Sequence, residues 1–261
     1  MEYTKIHLIY FSPTRTSARI AHAIAEATGI KEVVVSDLTL DASAQVRVDH
    51  AIAVIAVPVY GGRVAETAME RLAGVRASDS VAVPVVLYGN RDYEDALREL
   101  TDWTRQQGFV PLAAGAFVGE HSYSRKNMPI AASRPDASDL KMAEVFARDV
   151  VGKLSEYASA ADLPVLEVKG EFPYKVKGLS VPAAPVTTEE ECTQCGLCVE
   201  VCPTGAVRLG ENGFPQTEKT DCIKCCACVK ECPAGVRIFD TPYTAMLFTN
   251  FNKRREPELF L

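Results

Sequence analysis

The chain has 261 residues, of which 48% are hydrophobic, and a formal net charge of −6 at neutral pH. This acidic balance argues against a nucleic-acid partner, which would require a basic face. The longest apolar runs, residues 51–59 and 81–88, are the length of strands and too short to span a bilayer, so we expect no membrane insertion. No secretory segment is present, and we expect a cytoplasmic protein.

Along residues 1–160, apolar segments alternate with amphipathic stretches, a pattern typical of a parallel sheet covered by helices on both faces. The pattern predicts strands over residues 6–11, 33–35, 51–57, 81–88 and 112–118, and helices over residues 17–28, 65–72, 93–107 and 137–157. Gly29 is placed to end the first helix and Asp136 to begin the last. We therefore expect a doubly wound, five-stranded α/β domain with ligands bound beyond the carboxyl ends of its strands.

The loop at residues 12–17 runs from the first strand into a helix. Its hydroxyls and free backbone N–H groups form an anion site suited to a phosphate monoester, although an ordinary N-cap turn is the alternative. The loops at residues 58–63 and 88–93 follow the third and fourth strands and place an aromatic residue beside small ones. Such an arrangement suits a flat ring.

The remaining connections are less specific. Residues 161–187 are rich in proline and read as an extended linker with limited flexibility. The tail, residues 241–261, contains phenylalanines among basic residues, and it could close on the chain as a helix or dock a partner. Both alternatives stay open at this stage.

Eight of the nine cysteines form two copies of the pattern C-x-x-C-x-x-C-x-x-x-C-P, in residues 192–203 and 222–233. Three cysteines so closely spaced bind one iron–sulfur cube, and the fourth, before proline, is held too far away and reaches the other cluster. The expected ligands are Cys192, Cys195, Cys198 and Cys232 for one [4Fe-4S] cluster and Cys222, Cys225, Cys228 and Cys202 for the other.

Disulfides and zinc are the alternatives. Cytosolic thiols stay reduced, and zinc sites use two C-x-x-C pairs separated by a longer loop, so both fit poorly. The ninth cysteine, Cys226, falls between two ligands, and we expect a small buried thiol there rather than a substitute ligand. Residues 187–240 resemble the bacterial two-cluster ferredoxins, and we expect a 2[4Fe-4S] ferredoxin-like α+β domain over residues 188–240. Exposed clusters of this kind are often oxygen-labile, which favours an anaerobic host.

Across residues 3–158 the three loops together resemble the flavodoxin family, whose phosphate loop reads S/T-x-T-G-x-T. The resemblance implies that FMN is bound, with its phosphate on the first loop and its ring between the other two. Tyr93 matches the family's stacking aromatic, whereas Arg15 stands where the family usually has glycine and would be strained if that position requires positive φ. The implied FMN residues are Ser12, Thr14, Arg15, Thr16, Ser17, Pro58, Val59, Tyr60, Gly61, Gly62, Gly89, Asn90, Asp92 and Tyr93.

The loop that begins at residue 119 is long for a connection and lies at the same edge of the sheet. His121 could donate a proton near the flavin, although structural hydrogen bonding is the alternative. Both halves together resemble the flavodoxin–ferredoxin fusion proteins, also called iron–sulfur flavoproteins.

That resemblance implies an electron carrier that passes single electrons between two clusters and FMN, linking a low-potential donor to redox partner proteins. A flavin-dependent reductase of a quinone, an activated double bond or oxygen is the alternative, and a redox sensor is a third possibility. Transfer could occur within one chain or across a homodimer.

Overall fold

The computed structural model describes residues 1–178 and 181–261. In chain order, the elements of the first part are β1 (Lys5–Tyr10), α1 (Thr16–Thr28), β2 (Glu32–Asp37), β3 (Val46–Asp49), β4 (Ile52–Tyr60), β5 (Arg63–Val64), α2 (Glu66–Leu72), β6 (Val75–Ser78), β7 (Ser80–Tyr88), α3 (Ala96–Gln106), β8 (Phe109–Pro111), β9 (Ala114–Val118) and α4 (Ala137–Ser155). The second part contains β10 (Val186–Thr187), α5 (Leu197–Glu200), β11 (Val207–Leu209), β12 (Pro215–Thr217), α6 (Ala227–Lys230), β13 (Arg237–Ile238), α7 (Pro242–Asn250) and β14 (Glu258–Phe260), with 3-10 turns at Ala160–Asp162 and Glu189–Glu191.

The central sheet has the order β2-β1-β4-β7-β9, and these five strands are parallel. Counted among themselves they follow the order 2-1-3-4-5, which is that of the flavodoxin-like doubly wound fold. Alternate residues of β4 enter two separate apolar cores, one formed with α1 and α4 and the other with α2 and α3. The prediction of a doubly wound α/β domain is confirmed.

Local signals at the helix ends also have the predicted effect. Gly29 ends α1 with a φ of 75°, a left-handed conformation that glycine adopts without a steric penalty. Asp136 begins α4 with a capping box, since its side chain accepts from the backbone N–H of Asp139 and the Asp139 carboxylate accepts from the backbone of Asp136. The short parallel pair of β3 and β6 has no counterpart among the predicted strands.

The linker is packed against the first domain. Asp95, at the beginning of α3, accepts hydrogen bonds from the backbone N–H groups of Glu171 and Lys175 at 2.8 and 2.7 Å. The hydroxyl of Tyr174 donates to the carboxylate of Asp102 at 2.9 Å. These contacts fix the described part of the linker along α3.

The second part is a small module built from two short antiparallel ladders, β10 with β13 and β11 with β12, around the helices α5 and α6. The chain then leaves the module through α7 and returns to the first domain. There β14 pairs antiparallel with β9, with Glu258 opposite Ala116. The tail therefore closes on its own chain and adds an antiparallel strand to the edge of the parallel sheet.

Candidate metal centres

Four cysteines line one cavity in the module. They come from both motifs, and we name them the first cysteine group: Cys192, Cys195, Cys198 and Cys232. Cys232 belongs to the second motif in sequence, yet it joins the three closely spaced cysteines of the first. The structure thus brings together the four residues that the spacing assigns to one cluster; their role as ligands stays a prediction.

The second cysteine group consists of Cys202, Cys222, Cys225 and Cys228. Burial raises the pKa of Cys228, and the nearby Cys202 and Cys222 thiols raise it further while Arg237 lowers it. Burial, together with Cys228, Cys202 and Cys222, raises the pKa of Cys225 to about 12. Cys202 therefore lies with the cysteines of the second motif, again in the crossed arrangement.

The two groups differ in their exposure. Cys195 in the first group is exposed, whereas Cys225 and Cys228 in the second are buried. Within residues 1–178 and 181–261, no three His, Cys, Asp or Glu side chains converge on a single metal ion. A [4Fe-4S] cluster does not require such convergence, because each thiolate binds a different iron atom.

The second cysteine group faces the carboxyl edge of the first domain. Burial raises the pKa of Tyr60 well above its usual value, and Cys225 and Cys226 beside it raise it further. Tyr123, from the loop after β9, shows the same direction for the same causes, burial first and Cys226 second. Ile223 packs against the core of the first domain. The predicted site of one cluster thus adjoins the Tyr60 loop within a single chain.

Polar contacts fasten the module to this edge. Arg15 of the first loop pairs with Glu231 at 3.3 Å, and Arg125 pairs with Asp240 at 2.9 Å. Lys230 donates to the backbone carbonyl of Ser124 at 2.9 Å and also pairs with Glu120. Glu231 and Lys230 adjoin Cys232, so the contacts act directly on the cysteine-bearing segment.

The loop at residues 12–17 keeps the features of an anion site. Ser12 Oγ accepts from the backbone N–H of Ala18 in the first turn of α1 at 3.1 Å. Ser17 Oγ is buried and has no hydrogen-bond partner among the described residues, and Thr14 and Thr16 are half-buried. Arg15 has a φ of 63°, so the position does require the left-handed conformation that the family's glycine suits. An unpartnered buried hydroxyl at a helix N-terminus fits a phosphate oxygen.

A cleft of about 640 Å³ opens beside this loop. Ser12, Pro13 and Arg15 line it from the first domain, and Val201 and Glu231 line it from the module. Residues 58–62 and 89–93, which were predicted to hold a flat ring, do not line it. The cleft therefore lies apart from the expected ring position.

Tyr93, the predicted stacking residue, is enclosed by protein. Its ring is 0% exposed and packs in the core, and its hydroxyl donates to Glu258 of β14 at 2.7 Å. Asn90 is also buried, and its amide donates to the backbone carbonyls of Phe251 and Lys253. The tail covers this loop in the present arrangement, and the stacking role of Tyr93 stays a prediction. Asp92 beside it faces Lys169 and Arg255.

The other predicted ring contacts also meet protein groups. A Cβ at Gly89 would clash with Cδ2 of His121, so the imidazole packs on the backbone of that loop. In the opposite loop, Pro58, Val59 and Tyr60 are half-buried, Gly61 is exposed and Gly62 is buried against Glu94. The ring end of the expected site is therefore filled where the phosphate end is free.

His121 lies in an environment that favours the neutral imidazole. Burial lowers its pKa to about 4, and the charges of Lys230 and Arg91 act in the same direction. Its Nδ1 accepts from the backbone N–H of Tyr123 at 3.0 Å, and its ring lies 5.0 Å from that of Tyr123. The imidazole is therefore neutral at pH 7. Its hydrogen bond to Tyr123 favours the alternative of structural hydrogen bonding, and its role as a proton donor stays a prediction.

Two features of the module were not predicted from the sequence, the left-handed backbone conformation of Cys226 and the burial of Arg237. Cys226 has a φ of 59° at the position where the first motif has Gly196, with a φ of 78°. It is buried, as expected, and its Sγ donates to the carbonyl of Lys224 at 3.6 Å. Arg237 is buried among the cysteines, although an isolated arginine in a sequence is usually a surface residue.

Comparison with known proteins supports the iron–sulfur part directly. The family described as "4Fe-4S binding domain" matches residues 185–208, which contain the first motif. No curated protein matches the chain.

Several solved structures align with the first domain. A rubredoxin oxygen:oxidoreductase from Desulfovibrio gigas is 14% identical over 59% of this chain, with a TM-score of 0.41, and the alignment spans 36% of that protein's length. A flavodoxin from the domain Archaea is 14% identical over 58% of this chain and 99% of its own, with a TM-score of 0.39. Flavodoxin 1 from Bacillus cereus is 11% identical over 57% of this chain and 97% of its own, with the same TM-score. At these scores the assignment of the fold rests on the strand order of the chain itself.

The fold and the site together define a class. The chain combines an α/β domain that has the strand order of the flavodoxin-like fold with a module in which residues 185–208 match the 4Fe-4S binding domain family. An iron–sulfur module of this type has a redox function. Among the described residues, no helix has both the length and the apolar character needed to cross a membrane.

Proposed function

We propose that the chain is an electron-transfer protein that carries two [4Fe-4S] clusters and passes single electrons between them. The observation that supports this most strongly is the gathering of the cysteines into two groups, each taking its fourth member from the other motif. The [4Fe-4S] clusters that cysteines in this spacing bind are one-electron centres. Disulfides would join cysteines in pairs and would give no reason for two groups of four.

The unequal exposure of the two cysteine groups supports a path for the electrons. The first group reaches the surface at Cys195, which follows the acidic turn Glu189–Glu191 closely in sequence, and it is the point at which a redox partner protein would dock. In the second group Cys225 is buried and Cys222 is half-buried, and both lie near Tyr60 and Tyr123. Electrons would therefore pass between a partner at the surface and the interior of the molecule.

FMN is the second part of the proposal, and the loop at residues 12–17 supports it. Ser17 Oγ and the free N–H groups at the beginning of α1 would bind the phosphate, and FMN when bound would supply a centre for one- or two-electron chemistry. The ring end does not fit the present arrangement, because His121 lies on Gly89 and the tail covers Tyr93. We assign no step to FMN for this reason.

The reductase alternative finds less support. It needs an open pocket over the ring with a proton donor, and His121 is neutral and packed against Tyr123. No observation on the first domain favours a bound small substrate over a protein partner.

Anaerobic purification followed by iron, sulfide and flavin analysis tests both parts separately. Two clusters give about eight irons and eight sulfides per chain, and reductive titration should consume about two electrons, or about four if FMN is present. About four irons would mean one cluster, and their complete absence would refute the proposed function. Full iron without flavin would retain the electron-transfer proposal and remove FMN from it.

A further inference from the structure

Arg237 is a buried cation without an anionic partner. Its side chain is 3% exposed. Its Nη1 donates to Thr187 Oγ1 at 2.8 Å, and its Nη2 donates to Thr217 Oγ1 at 2.7 Å and to the carbonyl of Pro185 at 3.5 Å. In the part of the chain that the structure describes, its polar contacts include no carboxylate.

Such a residue is costly to bury. A guanidinium removed from water loses its hydration, and neutral hydroxyl and carbonyl acceptors replace only part of it. Buried charges in proteins are generally paired with an opposite charge or with a metal centre. The missing negative charge therefore has to come from something that binds beside Arg237.

The position of Arg237 indicates the source of that charge. The residue lines the cavity of the first cysteine group. Its Nη2 also lies 3.6 Å from Cys228 Sγ of the second group. Its Nε is buried and has no hydrogen-bond partner within residues 1–178 and 181–261. One guanidinium thus touches both cysteine groups and keeps one donor unused.

We propose that Arg237 is the shared counter-cation of the two clusters and raises the reduction potential of both. Nη2 donates to Cys228 of the second cluster, and Nε is the donor available to the sulfur atoms of the first. Reduction adds one negative charge to a cluster, and a fixed cation in this dry interior favours the reduced form. The inference rests on the proposed function, since it requires both clusters to be bound.

A purely structural role makes a different prediction. Arg237 belongs to β13, and its bonds to Thr187 of β10 and Thr217 of β12 would hold these strands together whatever the cysteines bind. Removing it would then lower the stability of the module and leave the cluster potentials unchanged. Potentials measured on fully loaded protein separate the two roles.

The test compares three variants by potentiometric titration monitored with EPR, after iron and sulfide analysis of each. In Arg237→Gln, which keeps hydrogen-bonding groups and removes the charge, we expect both midpoint potentials to fall. Arg208→Gln is the matched control, because Arg208 is an exposed arginine of the same module, and it should leave both potentials unchanged. Unchanged potentials in fully loaded Arg237→Gln, or a shift in only one, would overturn the proposal of a shared cation.

Arg237→Lys covers the case in which Arg237→Gln does not assemble its clusters. Lysine keeps the charge but cannot reproduce the planar fork, so the variant should load and at least one of the two potentials should fall. Two wild-type potentials in the loaded lysine variant would refute the assignment of a separate guanidinium donor to each cluster. Wild-type protein with fewer than two clusters would instead refute the proposed function on which the inference depends.

Discussion

Replacing the last cysteine of a motif tests whether the cluster ligands cross between the motifs. Cys202 lies in the first motif along the sequence but belongs to the second cysteine group in space, and Cys232 shows the reverse. The variant Cys202→Ala should therefore remove the cluster of the second group. If each motif instead held its own cluster, the same variant would remove the cluster of the first.

The size of the effect follows from the ligand count. Each cluster contains four irons and takes one thiolate per iron, so the loss of a single ligand should cost about four of about eight irons per chain. Iron content alone cannot identify the cluster that is lost, because either wiring predicts the same number. Two control variants remove an undisputed ligand of each group, Cys195→Ala for the first and Cys225→Ala for the second.

The assay is the EPR spectrum of the reduced protein, recorded under anaerobic conditions for all three variants. We expect the remaining signal of Cys202→Ala to match that of Cys225→Ala and to differ from that of Cys195→Ala. A match between Cys202→Ala and Cys195→Ala would refute the crossed wiring. Loss of all iron in the single variant Cys225→Ala would also contradict the expected loss of about four irons, since each cluster should survive without the other.

Three further predictions concern the first domain. Asp139→Asn should destabilise the chain by about 3–5 kcal/mol, because the buried guanidinium of Arg134 loses its partner carboxylate, which is 0% exposed. Denaturant unfolding measures this change in stability, and a loss below about 1 kcal/mol would contradict the prediction. Arg15→Gly should relieve about 1 kcal/mol of left-handed strain and lose only the exposed ion pair with Glu231. Thermal unfolding should therefore show equal or higher stability, and a clear loss of stability would mean that the ion pair outweighs the strain. His121 has a pKa of about 4 in the folded state against a usual value of 6.5, so it favours the folded state fully above pH 6.5 and progressively less as the pH falls towards 4. His121→Gln should flatten this decline of the unfolding midpoint at acidic pH, and an unchanged slope would contradict the lowered pKa.

The strands and the cysteine groups could be predicted because their signals are local. The apolar runs of β4 and β7 are buried on both faces of a parallel sheet, and such runs are visible in a short window of sequence. The crossing of Cys202 and Cys232 follows from the spacing within each motif. These features need no information about the rest of the fold.

The features that the sequence did not indicate depend on distant contacts. Tyr93 has the sequence context of a ligand-stacking residue, but a strand from the end of the chain covers it. That strand, β14, is three residues long and forms only because the edge of β9 is available. Arg237 has no local pattern at all, since its burial follows from the meeting of β10, β12 and β13 around it.

The topology of the chain explains why the module has a fixed orientation. A unit of about fifty residues buries too little apolar surface to be strongly stable alone, so it gains from bound clusters and from docking. The chain enters it from a linker bonded to Asp95 and leaves it through a tail that ends in the sheet at β14, so both ends are anchored on the first domain. Lys230 and Glu231 then bind the loops of that domain next to Cys232. With three sides held, the second cysteine group can only face inward and Cys195 outward, so the covalent path of the chain itself sets the direction in which a partner meets the clusters.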